Sequence, residues 1–98
     1  MIKLADKKSL KKVYVVSYID SDNIFYPIIT TFASKELAEI DYEGYQKSMQ
    51  NMDEGYKSVQ LASEELSTYK AEVWEITDSN NKKYKVSFRL EEQLVTFH

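Results

Sequence analysis

The sequence contains no cysteine, and its single histidine is the last residue, His98. Without thiols the chain can form neither a disulfide framework nor a thiolate zinc site, and it has no cysteine nucleophile. A histidine at a chain end is poorly positioned for acid-base catalysis, because termini are weakly fixed. We therefore predict a protein that is not an enzyme, with no catalytic residue and no metal site. The missing disulfides also fit a reducing compartment, so we expect a cytoplasmic protein.

Glycine and proline are scarce, with Gly44, Gly55 and Pro27 as the only examples. Two separated glycines cannot build the glycine-rich loop that cradles phosphates, so no nucleotide and no other cofactor is expected. Long apolar runs are also missing, whereas a membrane-spanning helix needs about 20 mostly apolar residues. We therefore predict no membrane partner. The length of 98 residues predicts a single domain over residues 1–98.

Charge is unevenly distributed along the chain, although the formal net charge is only −3. Residues 1–11 contain four lysines and a single acid, and they are predicted to form a basic, flexible N-terminal arm. The stretch from Ser34 to Leu66 contains eight acids and three lysines. The sequence therefore predicts a basic arm beside an acidic central segment.

Two β-hairpins are predicted, one on each side of this central segment. Lys12–Asp20 and Ile24–Phe32 are rich in β-branched and aromatic residues, and the short polar turn between them predicts the first hairpin. Pro27 cannot donate to a ladder and therefore favours an edge strand. The second hairpin is predicted from Thr68–Thr77 and from the strict alternation that begins at Tyr84. Residues 94–97 are predicted as a short fifth strand after a turn at residues 91–93, or as a packed tail.

A long helix is predicted between the hairpins. Ser34 is a good N-cap, and apolar residues then follow at alternating spacings of four and three. This pattern can be followed to Leu66, which predicts a helix of about 33 residues, or roughly 50 Å. Gly44, Gly55 and the polar stretch from Asn51 to Asp53 oppose continuity, so a break near Asn51 is the alternative. The predicted fold class is α+β, with a four-stranded antiparallel sheet and the helix packed on one face.

The apolar seam of this helix is the main functional candidate, because tyrosine and methionine are enriched at interface cores. A seam that overhangs a small sheet predicts contact with a second copy in a homodimer, or with another protein. The alternative is ordinary core packing. The predicted contact residues are Tyr42, Tyr45, Met49, Met52, Tyr56 and Val59.

Two further surfaces are considered. An acidic surface could imitate DNA phosphates, and in size, acidity and tyrosine content the chain is similar to small acidic inhibitors from phages and plasmids. Its predicted residues are Glu36, Glu39, Glu43, Asp53 and Glu54. The other surface would bind single-stranded nucleic acid, if tyrosines and basic residues are interleaved on one face of the sheet. Its residues are Lys11, Lys12, Tyr14, Tyr18, Lys83, Lys85 and Arg89. The net negative charge opposes this alternative.

Overall fold

The computed structural model describes residues 10–21 and 27–96. Along the chain, these residues form the elements β1 (Leu10–Asp20), β2 (Ile28–Phe32), α1 (Lys35–Gln50), β3 (Lys57–Leu66), β4 (Tyr69–Thr77) and β5 (Lys83–Thr96). All neighbouring strands are antiparallel, and the order across the sheet is β2-β1-β5-β4-β3. The predicted α+β class, with one helix on an antiparallel sheet, is confirmed. The prediction of four strands is wrong, because the described sheet has five.

The first hairpin is confirmed, with β1 and β2 paired from Tyr14 opposite Phe32 to Tyr18 opposite Ile28. Pro27 immediately precedes β2, which lies at the edge of the sheet as its proline predicts. Residues 24–26 of the predicted second strand lie outside the described residues. Most of the predicted basic arm, residues 1–11, also lies outside them, and its last two residues already belong to β1.

Helix α1 begins where the sequence predicts and ends much earlier. The N-cap Ser34 has extended backbone angles, and its hydroxyl accepts a hydrogen bond from the Leu37 amide at 3.5 Å. At the other end, the amide and side chain of Asn51 both donate to the Lys47 carbonyl at 3.0 Å. Gly55 then adopts a φ of +88°, a conformation that a helix cannot contain. The prediction of a helix continuing to Leu66 is therefore wrong, and the alternative of a break near Asn51 is confirmed.

The segment after this break is strand β3, which was predicted as helix. It pairs along its length with β4, from Lys57 opposite Thr77 to Leu66 opposite Tyr69, with a register shift between Gln60 and Ala62. Such a β-bulge adds a residue to one strand and bends it locally. The bulge also breaks the period-two alternation, which is why β3 is difficult to recognise in the sequence.

Strand β5 is continuous over Lys83–Thr96, so the prediction of a turn at residues 91–93 followed by a separate strand or tail is wrong. β1 pairs with β5 without interruption from Leu10 opposite Thr96 to Asp20 opposite Val86. This uninterrupted ladder holds the polar residues 91–93 in the strand. Phe97, the last residue of the predicted fifth strand, lies outside the described residues.

The core lies between α1 and one face of the sheet. It consists of Val16, Ala38, Tyr42, Met49, Trp74, Ile76, Val86, Phe88 and Leu90. In β5 the core residues alternate with exposed Lys83, Lys85 and Arg89, so these basic residues lie on the face opposite the helix. The helix packs mainly over β1, β5 and β2, which leaves β3 to one side of it.

Candidate protein-contact surfaces

The predicted contact seam is divided between the core and the surface. Tyr42 and Met49 are buried beneath α1, and the Tyr45 ring stacks on that of Tyr18 with centroids 4.7 Å apart. Met52, which follows the helix, packs against the same core. Since the helix ends at Gln50, these residues form no continuous outward stripe. Of the predicted contact residues, only the two that follow α1 and are exposed could reach a partner in this structure.

Those two members are Tyr56 and Val59, and they lead to the exposed strand β3. Every residue of β3 except the half-buried Ser58 is exposed. Three large apolar side chains are among them: Val59 is 58%, Leu61 is 48% and Leu66 is 60% exposed. Because β3 pairs with β4 on one side and lies at the edge of the described sheet, the backbone groups on its other side have no ladder partner among residues 10–21 and 27–96.

A groove runs between α1 and the β3–β4 hairpin, and we call it the α1–β3 groove. One flank of the helix lines it with residues spaced four or three apart: Lys35, Glu39, Tyr42, Gln46 and Gln50. Two cavities of about 370 Å³ and about 260 Å³ make up the groove, and Glu65 and Lys70 line both. The larger cavity lies near the start of α1, and the smaller cavity lies over Glu72.

Glu72 is a charged residue in the core, with only 5% of its surface exposed. One carboxylate oxygen accepts hydrogen bonds from the Tyr42 hydroxyl at 2.8 Å and from Gln46 Nε2 at 2.5 Å. The other oxygen accepts from Trp74 Nε1 at 3.0 Å and from Gln60 Nε2 at 3.1 Å. Donors from α1, β3 and β4 therefore meet at one carboxylate. This network is the polar connection between the helix and the exposed hairpin.

All four of these donors are neutral groups. The ion pairs found among residues 10–21 and 27–96 join other residues and do not include Glu72. The nearest cation on its own strand and face is Lys70, which pairs with Glu65 at 3.5 Å. Buried carboxylates are usually paired with a cation as well as hydrogen-bonded. Glu72 thus has four hydrogen-bond donors but no ion pair among the described residues, and Lys70 Nζ lies 5.9 Å from the ring centroid of its donor Tyr42.

Three tyrosines beneath or beside α1 are held in their neutral form. Burial, followed by the hydrogen bond to Glu72, raises the pKa of Tyr42 far above its ordinary value. Burial is also the largest cause that raises the pKa of Tyr18 and of Tyr45, with smaller contributions from Asp20 and Asp41 respectively. The Tyr42 hydroxyl therefore remains a donor to Glu72 across the neutral pH range.

The predicted acidic surface is not a single helix face. Glu36 and Glu43 are exposed on α1, whereas Glu39 lines the α1–β3 groove. Asp53 and Glu54 lie in the connection between α1 and β3. The acids were predicted on one long helix, and the end of that helix at Gln50 separates them. A role for them in imitating DNA stays a prediction.

The predicted nucleic-acid residues are divided between the two faces of the sheet. Tyr14 and Tyr18 pack against the core on the helix side. Exposed Lys83, Lys85 and Arg89 lie on the opposite face. In β1, exposed Lys11 and Lys12 alternate between the two faces, and Lys12 reaches Glu92 at 4.0 Å. Lys12 has the same parity as Tyr14 and Tyr18, whereas Lys83, Lys85 and Arg89 lie on the face opposite these tyrosines. Binding of single-stranded nucleic acid stays a prediction.

Sequence reasoning missed the Glu72 site, although β4 contains a signal for it. Glu72, Trp74 and Ile76 are spaced two apart in β4, so their side chains lie on the same face of the strand. An acid therefore lies on the face that points into the core. Its glutamine partners, Gln46 and Gln60, were assigned to one long helix and could not be recognised as facing each other.

Among the described residues, none of the helices is both long and apolar enough to span a membrane. Within the same part of the chain, no group of three or more His, Cys, Asp or Glu side chains is arranged to hold a metal ion. Comparison with known proteins finds no family model, no curated protein and no solved structure that matches this chain.

Proposed function

We propose that this chain is a small, non-catalytic protein-interaction module that acts by surface contact. In size, acidity and tyrosine content it resembles inhibitors or accessory proteins of the phage or mobile-element type. The observation that supports the contact is strand β3, a ten-residue edge strand whose side chains are nearly all exposed. The partner is a second copy of the chain or another protein of the cytoplasm.

The edge of β3 offers two kinds of binding energy. Its outer backbone groups, which no described strand pairs with, can extend the sheet by one strand from a partner, which is a common mode of peptide recognition. Its exposed apolar side chains, Val59, Leu61 and Leu66, can lose contact with water at the same time. Each buried Å² of apolar surface contributes about 25 cal/mol, so three such side chains supply a substantial part of a protein contact.

Strand β3 also carries features that limit unselective pairing. The bulge between Gln60 and Ala62 interrupts the regular spacing of backbone donors and acceptors along the edge. Lys57, Glu64 and Glu65 place charges at the two ends of the strand. Charged ends and bulges are the devices by which native edges avoid aggregation. They favour a partner of matching register and charge over indiscriminate assembly.

Light scattering coupled to size exclusion tests the proposal, over a range of protein concentrations. In the wild type we expect a dimer that forms with increasing concentration, and in Leu61→Lys we expect a monomer. Leu94→Lys is the matched control, because Leu94 is also exposed but lies on β5. A dimer that survives Leu61→Lys would exclude β3 as its interface.

If the wild type stays monomeric, the partner must be another protein. Affinity capture with the wild type, Leu61→Lys and Leu94→Lys as baits then tests for that partner. A protein that binds the wild type and Leu94→Lys but not Leu61→Lys would support the proposal. A monomer in solution, together with capture patterns that do not differ among the three baits, would contradict it.

A further inference from the structure

The α1–β3 groove is predominantly acidic. Its two cavities are lined by five carboxylates and two lysines, namely Glu39, Glu64, Glu65, Glu72, Glu92, Lys35 and Lys70. Glu65 is paired with Lys70 at 3.5 Å and Glu92 with Lys12 at 4.0 Å, which leaves Glu39, Glu64 and Glu72 against Lys35. An acidic concavity with low-dielectric walls attracts cations and repels phosphates.

Glu72 adds a second and independent observation. It is 95% buried and lines the smaller cavity, where neutral donors supply all of its hydrogen bonds. Two of those donors are the side-chain amides of Gln46 and Gln60, which stand on opposite walls of the groove. A lysine or arginine side chain entering between them would bring a positive charge close to this carboxylate, whose acceptor positions the four neutral donors already fill. Its attraction to Glu72 would therefore be Coulombic.

The larger cavity has a different character. Tyr14, Leu66 and Leu90 give it apolar walls, and Glu39 and Glu92 stand among them. A cavity of this kind suits an apolar side chain that is followed or preceded by a basic one. The groove therefore combines an apolar subsite near the start of α1 with an acidic subsite over Glu72.

The dimensions of the groove favour an extended segment. Helix α1 has 16 residues and is about 24 Å long at about 1.5 Å per residue. An extended chain rises about 3.3 Å per residue, so about seven or eight residues would follow the helix from end to end. In an extended chain, side chains alternate, so every second residue would point into the groove.

We propose that the α1–β3 groove binds an extended, basic segment of a partner protein, with an arginine or lysine over Glu72 and an apolar side chain in the larger cavity. This inference rests on the proposed function, because its ligand is a protein segment. The groove and the β3 edge share residues of β3, among them Glu65 and Leu66, but Leu61, which is substituted to test the edge, does not line the groove.

A fluorescein-labelled peptide of about eight alternating arginine and valine residues is the probe, since that length matches α1. Anisotropy measures its binding, and a peptide of alternating glutamate and valine is the charge control. Trp74 is the single tryptophan of the chain, and its indole donates to Glu72 at 3.0 Å. We expect the arginine peptide to bind, to change the Trp74 emission, and to lose affinity as salt is added.

Two double variants locate the binding. Glu39→Gln with Glu65→Gln removes two partly or fully exposed charges of the groove, and we expect affinity to fall about fivefold, within the range for such charges. Glu43→Gln with Glu54→Gln removes the same charge from exposed positions that do not line the groove, and we expect it to bind as the wild type does.

Three results would overturn the proposal: equal binding of the two peptides, an unchanged Trp74 emission at saturation, or an equal loss of affinity in both double variants. Leu61→Lys separates peptide binding in the groove from contact through the β3 edge, because Leu61 does not line the groove. If Leu61→Lys abolishes self-association and still binds the arginine peptide, the β3 edge and the groove act independently.

Discussion

Strands β5 and β3 are both long, yet they differ in almost every physical respect. β5 lies inside the sheet, with β1 and β4 on its two sides, and from Lys83 to Leu90 its core-facing apolar residues alternate with polar residues on the other face. β3 lies at the edge, pairs only with β4 and is exposed along nearly its whole length. The comparison shows that burial fixes β5 in the fold, whereas backbone pairing with β4 is the main interaction that fixes β3.

This difference implies a separation of roles within one small sheet. The residues that stabilise the fold are concentrated where α1 covers β1 and β5. The residues available to a partner are concentrated on β3 and along the α1–β3 groove. The Glu72 network joins the two regions, because it receives donors from α1, β3 and β4.

The largest difference between β5 and β3 is expected when the same leucine-to-alanine substitution is made in each strand. Leu90 of β5 is 3% exposed, and Leu90→Ala should lower the free energy of unfolding by about 2–5 kcal/mol through lost contacts and a cavity. Leu66 of β3 is 60% exposed, and Leu66→Ala should change it by less than about 0.5 kcal/mol. Urea denaturation measures both values. Equal losses would show that β3 contributes to the core as β5 does.

A smaller effect is expected at the junction between the two regions. Tyr42→Phe leaves buried Glu72 with one donor fewer, so we expect a loss of about 1–3 kcal/mol in the free energy of unfolding. Tyr56→Phe is the matched control, since Tyr56 is exposed, and it should be close to neutral. Thermal and urea denaturation can be compared for the two variants. An unchanged stability in Tyr42→Phe would mean that the Glu72 network does not stabilise the junction.

A graded effect is expected at alkaline pH. The pKa values of Tyr18, Tyr42 and Tyr45 are raised by burial in the folded state, while tyrosines of the unfolded chain titrate near pH 10. Below about pH 10 both the folded and the unfolded state keep these phenols protonated, so their contribution to the free energy of unfolding is fully present. Above it the unfolded chain loses protons first, and the free energy of unfolding should fall.

Urea denaturation at a series of pH values between about 9 and 11 measures this decline. Tyr18→Phe should make the decline shallower, because it removes one of the three phenols whose pKa is raised. A wild-type stability that stays constant over this interval would contradict the assignment of these tyrosines to the covered core.

The sequence predicts the parts of the fold in which local pattern and burial agree. Strict alternation identifies β5 from Tyr84 to Leu90, and Ser34 identifies the start of α1, because each signal arises from a local physical requirement. The run from Asn51 to Leu66 is different. Its apolar residues continue the helical spacing, yet the turn at Gly55 and the pairing with β4 prevent this segment from being helical. Pairing between distant segments is not visible in a local pattern, so β3 was predicted as helix.

The candidate sites follow the same rule. Of the six predicted contact residues, Tyr56 and Val59 are exposed. The other four belong to the core or pack against it, because that face of α1 lies on the sheet. Glu72 was overlooked because its importance depends on four partners from three elements. Only its position in the inward register of β4 was readable in advance.

The pairing of Leu10 with Thr96 has a mechanical consequence. The first described residue of β1 and the last residue of β5 are neighbours on antiparallel strands, whose hydrogen bonds run perpendicular to the strands. A force that pulls these two ends apart would load the ladder one rung at a time, beginning at that pair, and would peel β1 from β5. Under tension applied at Leu10 and Thr96, the sheet would therefore open at low force along the strand pair that anchors its core.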